Sequence, residues 1–467
     1  KVEIMNFRQI EFDRELIERC QTNAPRYTSY PTADRFSLDF GVNQQLSQMK
    51  QVFTPEFNQA VSLYIHIPFC NTLCLYCGCN KIITNNRAKI TEYLEYLAKE
   101  FALYHQLIGK KLPVIQLHFG GGSPSWLSIS EVQQVMNLVR EYFILENAEE
   151  IAMELDPRHV TDEFMSALYQ EGFNRVSLGV QDFDPVVQKV VNRIQPLADT
   201  QRVLDQAAKL GFKSTSIDLI YGLPLQTLAS YRQTMDIVIN QLKPARIALF
   251  NYAHLPHIFM PQTRINEADL PSANEKLNIL QMCVERLAEA GYVLIGMDHF
   301  ARPDDELAIA LSEQTLQRNF QGYSTFADTN MLAFGVSSIG FVGNSYYQSA
   351  KDLDSYYNFL NADQLPILRG LLLSPDDVLR REIIQQIMCQ FELNYAAVAE
   401  KYQLDFASYF AAELAELPEL AKIGLITLTP SGFQVSNKGR FLIRNVAKVF
   451  DRYLRANQDN RRYSKVI

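Results

Sequence analysis

The stretch Leu63-Tyr64-Ile65-His66-Ile67-Pro68-Phe69-Cys70-Asn71-Thr72-Leu73-Cys74-Leu75-Tyr76-Cys77-Gly78-Cys79 joins an apolar run, typical of a buried strand, to a cysteine-rich loop. The loop contains four of the seven cysteines of the chain within ten residues. Thiolates this close together repel one another unless a metal takes up their charge. The stretch therefore predicts a metal centre directly after a strand.

The spacing of the cysteines indicates which metal the loop holds. Cys70, Cys74 and Cys77 form a C-x3-C-x2-C pattern, which suits three irons of a [4Fe-4S] cluster and leaves the fourth iron open to a substrate or cofactor. An alternative adds Cys79 and makes a closed zinc site of four cysteines. Zinc sites usually draw two cysteine pairs from separated segments, so the spacing favours the cluster.

Composition limits the class of protein. The chain has 467 residues, of which 47% are hydrophobic, enough for two or three domains with a large core. A net charge of -8 argues against nucleic acid as the main partner. With no signal sequence, no membrane-spanning apolar run and three further scattered cysteines, we expect a cytoplasmic protein without disulfides that does not bind a membrane.

Apolar runs alternate with helix-period segments from Leu63 onward. The predicted strands are 63–67, 114–119, 150–155, 175–180, 214–221 and 246–252, and the helices between them are 90–107, 129–143, 162–171, 199–210 and 228–242. Six successive strand-helix units imply parallel strands joined by crossovers. The predicted fold class is therefore α/β, a partial (β/α)6 TIM-like barrel, with an N-terminal arm and a mostly helical C-terminal domain.

Polar residues follow the predicted strands at their carboxyl ends, where parallel barrels carry their chemistry. The cysteines follow the first strand, and Gly120-Gly121-Gly122-Ser123 ends the second. Glu154, Gln181 and Asp218 lie at the ends of later strands. These side chains should therefore converge on one rim.

Single residues on this rim have more than one interpretation. Glu154 and Asp218 can accept hydrogen bonds from a ligand, although either alone suits a helix cap or a salt bridge. Arg193 is a carboxylate clamp or a surface cation. Tyr64 and His66 alternate on one strand and share a face, but spacing does not tell whether that face is the barrel interior.

The chain divides into three predicted parts. Residues 1–60 form an arm or lid, in which Pro25-Arg26-Tyr27-Thr28-Ser29-Tyr30-Pro31-Thr32 favours an extended segment that either packs on the surface or contacts substrate. Residues 61–365 form the catalytic barrel with an extension. Residues 366–467 form a helical domain that ends like a winged helix, here a cap or docking module.

The chain resembles the radical S-adenosylmethionine (SAM) superfamily and, within it, the family that decarboxylates coproporphyrinogen III without oxygen. The resemblance spans nearly the whole chain. It is carried by the segment from Pro25, His-Ile-Pro-Phe-Cys from His66, the loop with its extra Cys79, Gly-Val-Gln-Asp-Phe from Gly179, Asp-Leu-Ile-Tyr-Gly-Leu-Pro from Asp218, Phe-Asn-Tyr-Ala-His-Leu-Pro from Phe250 and Met-Asp-His-Phe-Ala-Arg-Pro from Met297.

The resemblance implies a set of site residues. The cluster ligands are Cys70, Cys74 and Cys77. The first SAM, on the open iron, is held by Tyr64, Gly121, Glu154 and Ile339. A second SAM would meet Tyr76, Gly122, Ser123, Gln181, Arg193, Asp218 and Ala253. Tyr76 and Ser123 stand where Phe and Thr are common in the family, which weakens the assignment of the second site. Cys79 is assigned as a thiol beside the cluster or the substrate rather than a ligand, and His66 as a candidate catalytic residue.

The implied reaction converts two propionate side chains of coproporphyrinogen III to vinyl groups, giving protoporphyrinogen IX in haem biosynthesis. Reductive cleavage of SAM at the cluster supplies a 5′-deoxyadenosyl radical. A low-potential electron donor and a separate acceptor are implied as partners, and we expect a monomer. Because the substrate carries four carboxylates, Arg26 and Arg302 are candidate contacts. The alternatives are a haem chaperone of the same superfamily and a zinc-binding interaction protein.

Overall fold

One mixed sheet lies at the centre of the molecule, in a computed structural model that describes residues 10–326, 329–456 and 463. Its principal strands are β1 (Val61–Ile67), β2 (Leu112–Gly121), β3 (Glu150–Leu155), β4 (Arg175–Gln181), β5 (Ser214–Tyr221), β6 (Arg246–Asn251), β7 (Val293–Gly296), β8 (His299–Ala301), β9 (Met331–Phe334), β10 (Ile339–Val342), β11 (Ser345–Ser349) and β12 (Ile367–Leu372). Their order across the sheet is β7-β8-β6-β5-β4-β3-β2-β1-β9-β10-β11-β12.

The six predicted strands β1 to β6 are confirmed and pair in parallel with their sequence neighbours. Their carboxyl ends therefore meet at one edge of the sheet, which we call the carboxyl edge. Both flanks of this parallel set continue as antiparallel strands, β8 and β7 beside β6, and β10 to β12 beyond β9. The architecture agrees with the predicted partial barrel.

A seventh parallel strand, β9, pairs with β1 on the side away from β2. The sequence analysis did not predict it, because its four residues are all buried and carry no alternating pattern. The small-residue segment Gly335–Ser338 follows β9 at the carboxyl edge and leads into β10. The first strand thus has parallel neighbours on both sides.

Helices precede and alternate with the strands of the sheet. They are α1 (Arg14–Arg19), α2 (Val42–Val52), α3 (Arg87–Ile108), α4 (Ile129–Tyr142), α5 (Asp162–Gln170), α6 (Pro185–Val190), α7 (Leu197–Leu210), α8 (Leu228–Asp236), α9 (Ala273–Glu289), α10 (Glu306–Ser312) and α11 (Leu353–Asn361). The helix predicted to reach Leu242 is α-helical only up to Asp236. Its last part, Ile237–Leu242, is a π-helical turn. Local signals fix the ends: Asn86 caps α3, and Gly109 ends it in the left-handed conformation.

The C-terminal region is mostly helical, as predicted. Its helices are α12 (Pro375–Gln390), α13 (Tyr395–Tyr402), α14 (Phe406–Tyr409), α15 (Ala411–Leu414), α16 (Leu417–Lys422), α17 (Ile443–Ala447) and α18 (Arg452–Ala456). Between them Glu392–Asn394, Gly432–Val435 and Ile426–Thr429 form a small antiparallel sheet. The end of the predicted domain 366–467, after Ala456 and apart from Tyr463, lies outside the described part of the chain.

Apolar packing joins these parts. Leu63, Ile65 and Ile67 of β1 are fully buried, and one hydrophobic cluster runs from the arm through the barrel into the C-terminal region. The domain boundaries at residues 60 and 365 therefore stay a prediction. Among the described residues, no helix has both the length and the apolar character needed to cross a membrane.

Candidate active site

Four polar side chains meet on the inner face of the barrel near the carboxyl edge. Tyr64 and His66 alternate with the buried aliphatic residues of β1, which answers the question of their face: they point into the barrel. The Tyr64 hydroxyl lies 3.1 Å from His66 Nδ1, and the Tyr64 ring stacks on His118 of β2. His118 Nε2 lies 3.2 Å from Glu154 Oε1, so strands β1, β2 and β3 each contribute to one network.

The backbone of the glycine run completes this corner. Gly121 N–H donates to Glu154 Oε2 at 3.3 Å, and Gly121 has a φ of +122°, which other residues rarely adopt. A Cβ on Gly122 would lie 2.6 Å from the Pro68 carbonyl oxygen and 3.0 Å from Cys70 Sγ. The glycines therefore allow the end of β2 to lie directly against the cysteine loop.

The cysteine loop is held open around a cavity of about 170 Å³, which we call the cysteine cavity. Short strands Phe69–Cys70 and Ile82–Ile83 pair at its base, and Lys81 donates to the Cys77 carbonyl oxygen at 3.1 Å. Cys70, Cys74 and Cys77 all line the cavity. Burial, with the nearby thiols of Cys77 and Cys74, raises the pKa of Cys70 to about 12, so its thiolate is costly unless a metal binds it.

Three thiols around one cavity fit a cluster, because cysteine thiolates hold iron-sulfur clusters through separate irons. Within the described residues, no group of three or more His, Cys, Asp or Glu side chains is arranged to hold a metal ion. The three thiols and the glycine backbone thus agree with the [4Fe-4S] cluster that the cysteine loop predicts.

Cys79 lies beside the three thiols at the end of the loop and also lines the cysteine cavity. The neighbouring Cys79 thiol and the Lys81 ammonium lower the pKa of Cys77. The same pairing with Cys77 raises the pKa of Cys79. Cys79 therefore lies beside one of the predicted ligands.

Two further side chains complete the cavity, Arg193 from the loop after α6 and Asp218 from β5. Arg193 is 8% exposed; its Nη1 lies 3.5 Å from Cys74 Sγ and 3.4 Å from Asp156 Oδ2. Arg193 is thus a buried cation beside the thiols, not a surface residue. Asp218 accepts from Ser177 Oγ at 3.3 Å, and burial together with the charge of Glu154 raises the pKa of Asp218 to about 7.

Most of the predicted site residues line this one cavity: Cys70, Cys74, Tyr76, Cys77, Cys79, Gly121, Gly122, Ser123, Glu154, Gln181, Arg193 and Asp218. Glu154, Ser177 and Asp218 also line a second cavity of about 230 Å³ inside the barrel. Tyr64 and His66 adjoin the cysteine cavity through the network with Glu154. The structure therefore brings together residues that are up to 148 positions apart (Cys70 to Asp218).

Ile339 begins β10 directly after the loop Gly335–Ser338, at the carboxyl edge next to β1. This loop is anchored from behind by two buried side chains of α3. Gly335 N–H donates to Glu100 at 2.8 Å, and Val336 N–H donates to the Tyr93 hydroxyl at 3.1 Å. The Tyr93 hydroxyl also donates to the His66 carbonyl oxygen at 2.7 Å. One helix thus holds both the end of β1 and the loop before Ile339.

Ala253 and Arg26 lie apart from the cysteine cavity. Both line a larger cavity of about 710 Å³ beside the barrel. Arg26 donates to Asp298 at 2.5 Å, and its guanidinium lies 5.7 Å from the centre of the Phe250 ring. The arm therefore reaches the carboxyl edge, where a ligand contact is possible.

Arg302, a predicted substrate contact, lies apart from the other predicted site residues. Its backbone N–H donates to the carbonyl oxygen of Ala245, directly before β6 begins, so Arg302 lies at the opposite edge of the sheet. Its side chain is 50% exposed and pairs with Asp304. Arg302 directly follows β8, which runs antiparallel to β6, and the sequence did not indicate this reversal of direction.

Sequence reasoning also missed residues of the site. His118 precedes the glycine run by two positions, and the alternation of β2 was the signal that could have placed it on the inner face. Glu100 gave no signal, because a glutamate on an amphipathic helix normally faces water. Its burial becomes visible only when α3 packs against the loop after β9.

Comparisons with known proteins agree with this geometry. The sequence model of the radical SAM superfamily matches residues 64–238, and that of the HemN C-terminal domain matches residues 373–442. The oxygen-independent coproporphyrinogen III oxidase of Escherichia coli is 46% identical over 463 residues, covering 99% of this chain and 100% of the relative. That of Pseudomonas aeruginosa is 45% identical over 460 residues, covering 98% and 99%. A solved structure of coproporphyrinogen III oxidase (HemN) from Escherichia coli, a radical SAM enzyme, has a TM-score of 0.90 at 45% identity, covering 96% of this chain and 100% of that chain.

The fold and the three-thiol cavity therefore define a radical SAM enzyme, and this class implies a [4Fe-4S] cluster and SAM as cofactors. Within that class, the chain belongs to the family of oxygen-independent coproporphyrinogen III oxidases, which are oxidoreductases of haem biosynthesis. The comparisons favour this assignment over the haem chaperone and the zinc-binding protein.

Proposed function

We propose that this chain converts two propionate side chains of coproporphyrinogen III to vinyl groups without oxygen, giving protoporphyrinogen IX. The observation that carries the proposal is full-length similarity to oxygen-independent coproporphyrinogen III oxidases, combined with three thiols that line one cavity. Many radical SAM enzymes share the loop, but the similarity extends through the arm and the C-terminal region. It is this wider match that supports the substrate.

We infer that Cys70, Cys74 and Cys77 bind three irons of the cluster. Their common cavity and the raised pKa of Cys70 support this, since metal binding would remove the cost of its thiolate. When bound, the cluster and SAM supply the 5′-deoxyadenosyl radical that removes a hydrogen atom from the β-carbon of a propionate. Loss of carbon dioxide and one electron leaves a vinyl group, so the reaction needs an electron donor and a separate acceptor.

Tyr64, Gly121, Glu154 and Ile339 would hold the first SAM. The glycine backbone can approach an amino group closely, and Glu154 is oriented by His118 and by Gly121 N–H. A carboxylate so oriented suits the ammonium of SAM or a ribose hydroxyl. His66 would be a catalytic residue next to Tyr64. Burial lowers the pKa of its imidazole and favours the neutral form.

A second SAM would contact Tyr76, Gly122, Ser123, Gln181, Arg193, Asp218 and Ala253. The buried guanidinium of Arg193 is available for a carboxylate, and its contact with Asp156 fixes its direction. Six of the seven residues line the cysteine cavity, whereas Ala253 lines the larger cavity beside it. A monomeric, cytoplasmic protein, which we expect from the sequence, is compatible with this site, because one chain supplies every residue.

An anaerobic assay tests the proposed function. The purified holoenzyme, SAM and a low-potential reductant are incubated with coproporphyrinogen III, and carbon dioxide and the oxidised porphyrin products are measured. We expect two equivalents of carbon dioxide per tetrapyrrole and a divinyl product. The Cys70→Ser variant should give neither. Tight haem binding without decarboxylation by the wild type would contradict the proposal.

A further inference from the structure

His118 of β2 approaches Glu154 from inside the barrel. It lines the cavity of about 230 Å³ there, which we call the barrel cavity, and it is not among the residues that line the cysteine cavity. Glu154 lines both cavities. The carboxylate of Glu154 thus has His118 on its barrel side and the cysteine cavity on the other side.

The pairing of the strands fixes where His118 points. Its direct partner on β1 is Tyr64, and its direct partner on β3 is Ala152, two residues before Glu154. Since side chains alternate along a strand, Tyr64, His118 and Glu154 all point to the same face of the sheet. The rings of Tyr64 and His118 stack, with their centres 6.0 Å apart and their planes at 14°. The sheet and the tyrosine ring therefore hold the imidazole in one orientation.

The carboxylate of Glu154 is held at both oxygens without a permanent cation beside it. Oε1 lies 3.2 Å from His118 Nε2, and Oε2 accepts from Gly121 N–H at 3.3 Å. Because a carboxylate only accepts hydrogen bonds, Nε2 carries the proton in this pair. No lysine or arginine among the described residues pairs with Glu154, and its side chain is 44% exposed. Each oxygen therefore keeps a lone pair that a cationic group of a ligand can use.

Gly120 brings Glu154 and Tyr64 close together. A Cβ on Gly120 would lie 2.9 Å from Glu154 Oε1 and 3.0 Å from the Tyr64 hydroxyl oxygen. Both side chains thus lie against the same point of the β2 backbone, where a further side chain does not fit. Oε1 is also the oxygen that His118 contacts. His118 therefore fixes the carboxylate oxygen that lies beside the tyrosine.

We propose that His118 is a positioning residue for SAM: it orients the Glu154 carboxylate so that this group binds the ammonium of SAM. The inference rests on the proposed function, in which Glu154 is a contact of the first SAM. The ammonium suits this position better than a ribose hydroxyl, because it is a cation with three donors and a charge-assisted hydrogen bond is the stronger one. His118 acts on SAM through Glu154 and does not itself line the cysteine cavity.

Equilibrium dialysis of SAM against the anaerobic enzyme, loaded with an oxidised cluster, tests the inference without turnover. His118→Leu removes the donor to Glu154 and should weaken SAM binding by about tenfold. His118→Gln keeps an N–H donor and should bind SAM within about threefold of the wild type. An analogue of SAM that lacks the amino group should bind equally to all three proteins.

A double-mutant cycle separates positioning from a general structural effect. Glu154→Ala removes the proposed contact itself. If His118 acts through Glu154, adding His118→Leu to Glu154→Ala should weaken SAM binding by less than about twofold more. A structural role of His118 would instead weaken SAM binding by the same factor in both backgrounds.

His105→Leu is the matched control. His105 lies on α3, its ring is 5.2 Å from that of Tyr142, and it is not among the residues that line the cysteine cavity or the barrel cavity. Like His118, it is a partly buried histidine beside a tyrosine ring. His105→Leu should bind SAM like the wild type. Iron content should be unchanged in every variant, because none replaces a proposed cluster ligand, and loss of iron in His118→Leu would show a structural role and contradict the inference.

Three further results would overturn the inference: unchanged SAM affinity in His118→Leu, equal weakening with and without Glu154, or the same weakening for the analogue without the amino group. Each can occur while the wild type still decarboxylates coproporphyrinogen III, in which case the proposed function stands and only the role of His118 fails. If the predicted pattern of SAM binding is found without decarboxylation, the role of His118 stands and the proposed function fails.

Discussion

At the level of one residue, we predict that Cys79 belongs to the cluster loop without being a ligand. Its thiol lies beside Cys77, whereas the proposed ligands Cys70, Cys74 and Cys77 would supply three donors, and a fourth would block the iron that SAM needs. We expect Cys79→Ser to keep the iron and sulfide content of the wild type and to lose most of the decarboxylation activity.

Cys74→Ser is the matched comparison, since it changes a predicted ligand by the same single atom. It should lose the visible absorption of the cluster together with its iron. If Cys79→Ser lost iron to the same extent, Cys79 would have to be counted among the ligands.

Glu100 is a buried acid whose role is structural. It is fully buried and accepts from Gly335 N–H and from the Tyr356 hydroxyl at 2.6 Å, while its other oxygen has no hydrogen-bond partner in the described part of the chain. Burial raises the pKa of Glu100 from 4.5 to about 7. The neutral acid therefore fits this position better than the carboxylate.

The pH dependence of stability follows from that shift. Because the folded state binds the proton more tightly than the unfolded chain, the group contributes no penalty below pH 4.5 and its full penalty, ~3 kcal/mol, above pH 7. Glu100→Gln keeps a carbonyl acceptor and cannot ionise. The free energy of unfolding in denaturant should therefore fall less between pH 5 and pH 8 in the variant than in the wild type. Parallel pH profiles would contradict the assignment.

At the scale of strands and helices, the sequence was sufficient to predict an element wherever hydrophobic periodicity and local signals agree. The strands β1 to β6 and their helices follow from alternating apolar runs, and their polar ends predict the rim. β9 could not be predicted, since four buried residues resemble a strand or a helix equally well. The position of Arg302 could not be predicted, because the reversal of direction at β8 depends on a tertiary pairing.

The candidate site was predictable to the same extent. Cys70 follows β1, and Glu154 and Asp218 lie in the carboxyl-terminal halves of β3 and β5, where one rule places the chemistry of parallel barrels. The contact between Arg193 and Cys74 depends on how the loop after α6 returns to the cysteine loop, where Leu75 N–H donates to the Val191 carbonyl oxygen. The spacing of residues in the sequence does not predict that these two loops pack together.

The end of β2 gives a prediction about an element rather than a side chain. A methyl group in Gly122→Ala would lie 2.6 Å from the Pro68 carbonyl oxygen, so the glycine run must move away from the cysteine loop. We expect lower SAM affinity and reduced iron content with the fold retained by circular dichroism. Gly41→Ala is the control, because its nearest neighbour would be 3.9 Å away. Normal SAM binding by Gly122→Ala would show that the close approach is not needed.

At the scale of the whole molecule, the arm connects the barrel to the C-terminal region. Arg14 of α1 donates to Asn278 of α9 at 2.7 Å, and Asn445 of α17 donates to the Cys20 carbonyl oxygen at 2.8 Å. Arg26, six residues after Cys20, donates to Asp298 between β7 and β8. The arm therefore contacts parts of the chain that are far apart in sequence.

Tyr27 tests this connection. It is 3% exposed, and its hydroxyl donates at 3.0 Å to Asp451, which is 2% exposed. Tyr27→Phe removes one donor from a buried carboxylate, which should lower the free energy of unfolding by about 1–3 kcal/mol and speed tryptic cleavage after Arg19 and Arg26. Tyr409→Phe is the control: its hydroxyl donates to Asp376 at 2.7 Å, but Tyr409 is 47% exposed, so the cost should be small. If Tyr27→Phe lost stability with unchanged arm cleavage, the hydrogen bond would stabilise the C-terminal region alone, and the arm would be held by its other contacts.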